Sequence, residues 1–249
     1  MSTTSKIINR LLELPTKFFV DIGASNDPNE SQSELLLRNG WSGLMFECNP
    51  DKFIPLTERM REYPVKVISQ KVTPDNIIQL LQDEDVPNDF YLSLDIDGYD
   101  FYVLSKILTV YKPQLIISEI NEKIPPPIKF TVNYDPEYWW DVSHFYGYSL
   151  AMLEDIKGYK VESLDFNNVI MTPGVQEVPY ADLYQNGYWN MAGGRPAYNE
   201  DFDPIYTMSS EDQIKFINKK FMKFAGKYTL NGNIYKYSPQ PKFFWNKSQ

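Results

Sequence analysis

A single cysteine, Cys48, in 249 residues leaves no pair for an internal disulfide, so a core must hold the fold. A chain of this length can bury one without staples. At the end of a short apolar run the thiol reads as a small buried hydrophobe. Basic residues are outnumbered, 24 against 33 acidic, for a net charge of −9. Nucleic-acid binding needs clustered Lys and Arg to neutralise phosphates, so this balance excludes nucleic acid as the main partner and favours a neutral or small-molecule one. No apolar run is long enough to span a bilayer, and the opening MSTTSKIINRLLELP lacks the apolar core of a secretory signal. A cytoplasmic, reducing setting is the expectation. Glycine is scarce where dinucleotide loops need it: the first candidate loop has Gly23 and no second or third glycine, which disfavours NAD.

What is present is organised around residues 17–50, KFFVDIGASNDPNESQSELLLRNGWSGLMFECNP. Phe18, Phe19, Val20 and Ile22 predict a buried strand that stops at Gly23. Ser31 as N-cap, Glu34 completing a capping box and Gly40 past the end frame a helix carrying Leu35, Leu36 and Leu37. Residues 43–48 predict a second strand closed by Asn49-Pro50, with Glu47 at its tip. A glycine after the first strand lets a ligand approach the backbone, and a carboxylate ending the second can accept from ribose hydroxyls. In register they point to an adenosine site, although each residue alone reads equally as an ordinary strand end.

The rhythm continues on both sides. Residues 4–14 predict a short amphipathic helix before Pro15, and residues 50–62 a charged one whose start Pro55 could delay. Strands follow at 65–68, 90–96 and 115–120, separated by helices from Thr73-Pro74 and over 100–111. Alternating strands and helices predict a doubly wound parallel α/β sheet. From residue 122 to 140 a proline-rich, aromatic stretch is too long for a plain connector. A helix is expected over 143–157, then strands at 160–164 and 169–171 that can pair antiparallel. Beyond residue 172 only one helix, 209–224, is expected. The division is therefore 1–175 for the sheet domain and 176–249 for an appendage packed on it.

DIGASN, FECNP, SLDIDGYDFYVL, SEIN and FYGYSLAMLEDIKGYKVESLDFNNVIM, in that order over residues 18–171, resemble the FkbM-like S-adenosylmethionine-dependent methyltransferases. The resemblance implies a Rossmann-like class I methyltransferase sheet with an antiparallel last strand, here followed by an aromatic-rich C-terminal cap. Its donor would be S-adenosylmethionine, lying across the carboxyl ends of the first strands. It further implies that Asp21 and Gly23 hold the amino-acid end of the donor, Glu47 the ribose, and Ser69 and Gln70 the adenine, with Asp95 facing the donor from the fourth strand. The chain departs from the usual glycine-rich first loop, so Ser25 would bond the methionine end instead.

Methyl transfer to a hydroxyl needs an aligned acceptor and a proton acceptor. The candidates are His144, the only histidine, and the carboxylates Asp97 and Glu119. Asp95, Asp97 and Asp100 surround Gly98, while Glu119 and Asn121 end the adjacent strand. Hard oxygen ligands converging from neighbouring strand ends suit Mg²⁺ or Ca²⁺, with Asp97, Glu119 and Asn121 as the candidate metal set and Mg²⁺ as the candidate cofactor. The same residues read equally as turns and helix caps. Tyr134, Trp139, Trp140, Tyr184, Tyr188 and Trp189 could stack on sugar faces or simply pack the cap. The leading expectation is an O-methyltransferase for a saccharide or similar polyhydroxy acceptor. The rivals are a scaffold that keeps the fold and another adenosyl-using transferase.

Overall fold

The computed structural model describes residues 11, 13–27, 33–191 and 194–234. Most of the helix expected over 4–14, the Ser31 cap and the tail after residue 234 lie outside the described residues. β1 (Phe18–Ile22), β2 (Ser42–Phe46), β3 (Val65–Ile68), β4 (Tyr91–Leu94) and β5 (Leu115–Glu119) pair in parallel. They form a seven-stranded sheet of order β3-β2-β1-β4-β5-β8-β7. β7 (Tyr159–Asp165) and β8 (Asn168–Pro173) form a hairpin, and β8 runs antiparallel to β5. This is the doubly wound sheet with an antiparallel last strand.

The pleat explains why these runs make it. Val20, Ile22, Leu92 and Leu94 pack on one face with Ile77 and Leu81 of α3 (Ile77–Asp83) and Val103, Leu104 and Ile107 of α4 (Asp100–Ile107). Phe19, Met45, Tyr91 and Ile117 pack on the other with Leu36 and Leu37 of α1 (Ser33–Arg38) and Leu56 and Met60 of α2 (Pro50–Met60). α2 starts at Pro50 despite Pro55, because Asn49 caps it by accepting the Asp51 N–H (3.0 Å).

The 143–157 segment departs from the expected helix. Only Leu150–Asp155 turn, as a 3₁₀ helix, and the residues before them are held against β6 (Phe130–Val132). Val132 N–H donates to Gly147 O, Thr131 bridges Tyr148, and Ser149 Oγ accepts from Phe130 N–H and donates to Ile128 O. These tertiary pairings override a helical pattern. β6 itself lies in the stretch expected to be irregular. It pairs with β9 (Tyr228–Leu230), which β10 (Asn233–Ile234) extends. Phe130 and Phe145 then share a second core with Phe202, Ile217, Phe221 and Tyr228. α5 (Tyr180–Tyr184) and α6 (Ser210–Lys220, capped by Ser209) complete the appendage.

Candidate functional site

In this strand order the chain's winding reverses between β1 and β4, and the crevice of such sheets opens at the carboxyl ends there. A cleft of about 440 Å³ lies at that place, and Gly23, Ser25, Glu47, Gln70, Asp95 and Asp97 all line it. Ser69 is exposed just outside the lining, and Asp21, Glu119, Asn121 and His144 do not face it.

Gly23 (φ +83°) turns the chain out of β1, and its N–H donates to Phe46 O (2.9 Å). A Cβ there would stand 1.6 Å from the carbonyl oxygen of Asp95. The glycine is therefore required by the crossing of two backbones, in addition to any ligand. Gly23→Ala is expected to destabilise the protein by about 3 kcal/mol or more, from the left-handed φ plus the clash. Urea unfolding checks this: an unchanged midpoint would mean that the β1 and β4 loops separate freely.

Glu47 extends the β2–β3 pairing, its N–H donating to Ile68 O (3.2 Å), and its Oε1 accepts from Asn49 N–H (2.6 Å). That fixes the carboxylate at the cleft wall. Cys48 follows it, half-buried, its thiol pushed up by burial and by the Glu47 charge. Ser25 lines the cleft while its Oγ accepts from Asp27 N–H (3.0 Å). Asp21 is buried in β1 between Met45 and Ser93, its charge bearing on Asp95 from within the sheet.

The β4–α4 loop is built around Asp100. Its fully buried carboxylate accepts from Ile96 N–H (2.8 Å) and Gly98 N–H (2.9 Å). Burial pushes this carboxyl up to about 6 against the pull of those bonds. Asp100 is thus a cap, as one sequence reading allowed, and its work is to present Asp95 and Asp97. Asp97 sits at φ +53°, a left-handed conformation that Asp tolerates.

Asp95, Asp97 and Glu119 each bring a carboxylate oxygen within 4.8 Å of the others. Glu119 is buried; Oε1 accepts from Asn167 Nδ2 (2.6 Å), while Oε2 meets no donor among the described residues. Its bonding neighbour is the Asp95 carboxyl, another acceptor, so the two can bond only by sharing a proton. Burial, then the charges of Asp95, Asp97 and Asp100, push Glu119 well above the carboxylate range. Asp95 moves the same way, through burial, Asp97 and Asp100. It is enclosed by protein on most sides, yet its surface opens to the cleft, so water softens that shift. Asn121 Nδ2 donates to His144 O (2.9 Å) and Tyr146 O (3.0 Å), holding the 144–146 backbone, while its Oδ1 meets no donor among the described residues. Asp95 joins Asp97 and Glu119 in the carboxylate group. His144 is half-buried away from the cleft, stacked on Tyr198 and edge-on to Phe202, its pKa lowered by burial and then by Lys123.

The expected aromatics separate. Trp139 and Trp140 line the cleft. Tyr134 packs on Tyr99, Tyr184 and Tyr188 are buried in the appendage, and Trp189 packs on Tyr206 and lies under Arg195. Two residues that sequence reasoning passed over, Lys52 and Lys71, also line the cleft. Burial raises the Asp97 carboxyl, and Lys52 opposes that shift. Lys71 directly follows Gln70, so the strand-tip logic that selects Gln70 would have reached it one residue later.

No family model and no curated protein matches the chain. Solved structures similar to it include the O-methyltransferase from Bacillus cereus in complex with SAH, at 12% identity over 70% of this chain and 82% of that one, with a TM-score of 0.46. Another is magnesium protoporphyrin IX methyltransferase from Synechocystis PCC 6803 with bound SAM, at 11% identity over 69% of this chain and 78% of that one, with a TM-score of 0.42. The strand order and the antiparallel β8, independently of these likenesses, make the sheet a Rossmann-like class I methyltransferase fold.

Proposed function

We propose that the protein is an S-adenosylmethionine-dependent O-methyltransferase acting on a saccharide or similar polyhydroxy acceptor. The observation that carries the reading is one cleft at the β1/β4 crevice with Glu47 on its wall and the acidic group of Asp95 and Asp97 on its floor. Glu47 receives the donor ribose, Gly23 and Ser25 border its methionine end, and Gln70 borders the adenine. Asp21 acts on the donor only through Asp95 and the strand, and Ser69 from the rim. Trp139 and Trp140 offer faces on which a sugar ring can stack. In the reaction the acceptor oxygen attacks the methyl carbon in line, the carbon–sulfur bond breaks, and the sulfonium becomes a neutral thioether. The hydroxyl proton passes to the Asp95–Glu119 pair, whose raised proton affinity suits a base near neutral pH. His144, packed on Tyr198 and Phe202 outside the cleft, takes no part in this step.

The donor-less Glu119 Oε2 and the two neighbouring carboxylates fit a hard, oxygen-preferring divalent cation such as Mg²⁺. Bound there, such an ion would orient and acidify the acceptor hydroxyl. Mn²⁺ titration followed by EPR is expected to show one site, weakened about tenfold or more by Asp97→Asn. Absence of binding, with turnover unaffected by EDTA, would leave the carboxyl pair as sole base.

Calorimetry with S-adenosylmethionine and S-adenosylhomocysteine tests the reading. Both are expected to bind, and Glu47→Ala is expected to weaken them by about 1–3 kcal/mol, the scale of hydrogen bonds to a charged group. A folded protein that binds neither is a scaffold, and a product carrying an aminopropyl group in place of methyl would make it a different adenosyl transferase.

A further inference from the structure

We propose that Lys71 is a positioning residue that latches the aromatic strap, residues 134–142, across the cleft, so that the strap closes over the bound donor and sets the rate at which it leaves. The inference rests on the donor assignment above.

The strap follows β6 and reaches the segment after β3. There Lys71 Nζ donates to two of its carbonyl oxygens, Pro136 O (2.6 Å) and Tyr138 O (2.8 Å), and lies 4.6 Å from the centroid of the Trp139 ring. A second anchor stands beside it, Tyr134 Oη donating to Asp75 Oδ2 (2.7 Å). A third is the Tyr138 ring, seated so closely on Gly98 that a Cβ there would lie 2.9 Å away, with its hydroxyl donating to Phe145 O (2.8 Å). The strap is thus pinned to the loops after β3 and β4, which with the tips of β1 and β2 form the donor cleft. Tyr138, Trp139 and Trp140 line that same cleft with Gly23 and Glu47.

Two features set the strap apart from a packed connector. Trp139 is 61% exposed and Val142 80% exposed beside the cleft. Val142 also sits at φ +61°, where a β-branched residue is strained, and such strain persists only where surrounding contacts impose it. The anchors hold an otherwise unfavourable segment in place. The strap supplies part of the cleft lining, so lifting it, which breaks both Lys71 bonds, widens the way out for a donor held there. Two charge-assisted bonds to carbonyls need a cation with several donors; Arg can supply them and Met cannot.

The test uses the full chain, S-adenosylhomocysteine as probe, stopped-flow tryptophan fluorescence for its dissociation, and amide hydrogen exchange of residues 134–142 without ligand. Lys71→Met is expected to speed dissociation about tenfold or more and to raise strap exchange by a similar factor. Lys71→Arg should restore both to within about threefold, and Lys66→Met, on the exposed side of β3, should change neither. Asp75→Asn with Tyr134→Phe, removing the second anchor, should move both in the same direction and serves if Lys71→Met does not fold. Unchanged dissociation and unchanged strap exchange in folded Lys71→Met overturn the proposal. Faster exchange in a protein whose wild type binds no S-adenosylhomocysteine would instead sink the donor assignment and leave the latch standing. A lower melting temperature with neither rate changed would make Lys71 merely structural.

Discussion

Glu119→Gln is expected to stabilise the protein and to remove turnover together. The folded-state pKa of Glu119 lies above its unfolded value of 4.5. The folded state therefore holds more protons than the unfolded one between those limits. The stability this group contributes is fully present below pH 4.5 and is lost as pH rises through the folded value. Once ionised, the wild-type side chain is a buried negative charge beside Asp95, Asp97 and Asp100. Glutamine removes it. Its oxygen can still accept from Asn167, and its amide gives Asp95 a donor where Oε2 offers none. The gain is expected to vanish at pH 4.5 and below and to grow as pH rises, read as a melting temperature above that of the wild type. Turnover should fall by about 10² or more with donor affinity retained, because the base is lost while the donor wall is untouched. Melting curves at pH 5 and pH 8 read the first part. A gain that does not depend on pH would mean that Glu119 carries no titrating charge, and full turnover would remove it from the chemistry.

How much of this was legible can be followed residue by residue. The buried strands were readable because Val20, Ile22, Leu92 and Leu94 leave few alternatives to a sheet covered on both faces. Glu47 and Asp95 were readable because strand ends are fixed once strands are, and the crevice position follows from topology. How Asn121 is held was not, since it depends on which way a side chain turns at a strand tip. Asn121 turns toward the 144–146 backbone, and no local pattern encodes that choice. His144 attracted attention as the lone histidine, but its packing on Tyr198 and Phe202 depends on the appendage, some fifty residues away in sequence. The 122–140 stretch stood out, but its contact with Lys71 did not, for a similar reason: Lys71 and Trp139 are separated by most of two strand–helix units, and their contact exists only once the sheet is folded. β6 was hidden because a three-residue strand has no period to detect, and its partner β9 lies near the end of the described chain.

The same non-local logic gives the largest expected loss of stability, from Lys123→Met. Glu122 and Lys123 follow the tip of β5 and read in the sequence as loop charges, yet both side chains are sealed from water. Lys123 Nζ donates to Glu122 Oε1 (2.9 Å) and to Tyr146 Oη (2.6 Å), and that hydroxyl donates to Glu122 Oε2 (2.7 Å). From the appendage, Asn199 Nδ2 donates to Glu122 Oε1 (2.8 Å), and the Tyr184 hydroxyl donates to Glu122 O. Burial lowers the Lys123 pKa and Glu122 opposes that shift, so the ammonium persists only because its partner is adjacent. A buried pair is near neutral in net worth, but removing one member leaves an uncompensated charge, at about 3–5 kcal/mol. Lys123→Met is therefore expected to lose that much in urea unfolding, and Lys123→Met with Glu122→Gln to recover most of it, since the double change leaves no buried charge. The Asn199 bond makes the effect reach the appendage: in the single variant, hydrogen exchange around residue 199 should rise along with that of the β5 tip. A single-variant loss below about 1 kcal/mol would mean that water reaches Glu122 once Lys123 is gone, and a double variant no more stable than the single would mean that the ammonium's bond to Tyr146, rather than its charge on Glu122, holds the β5 tip to the appendage.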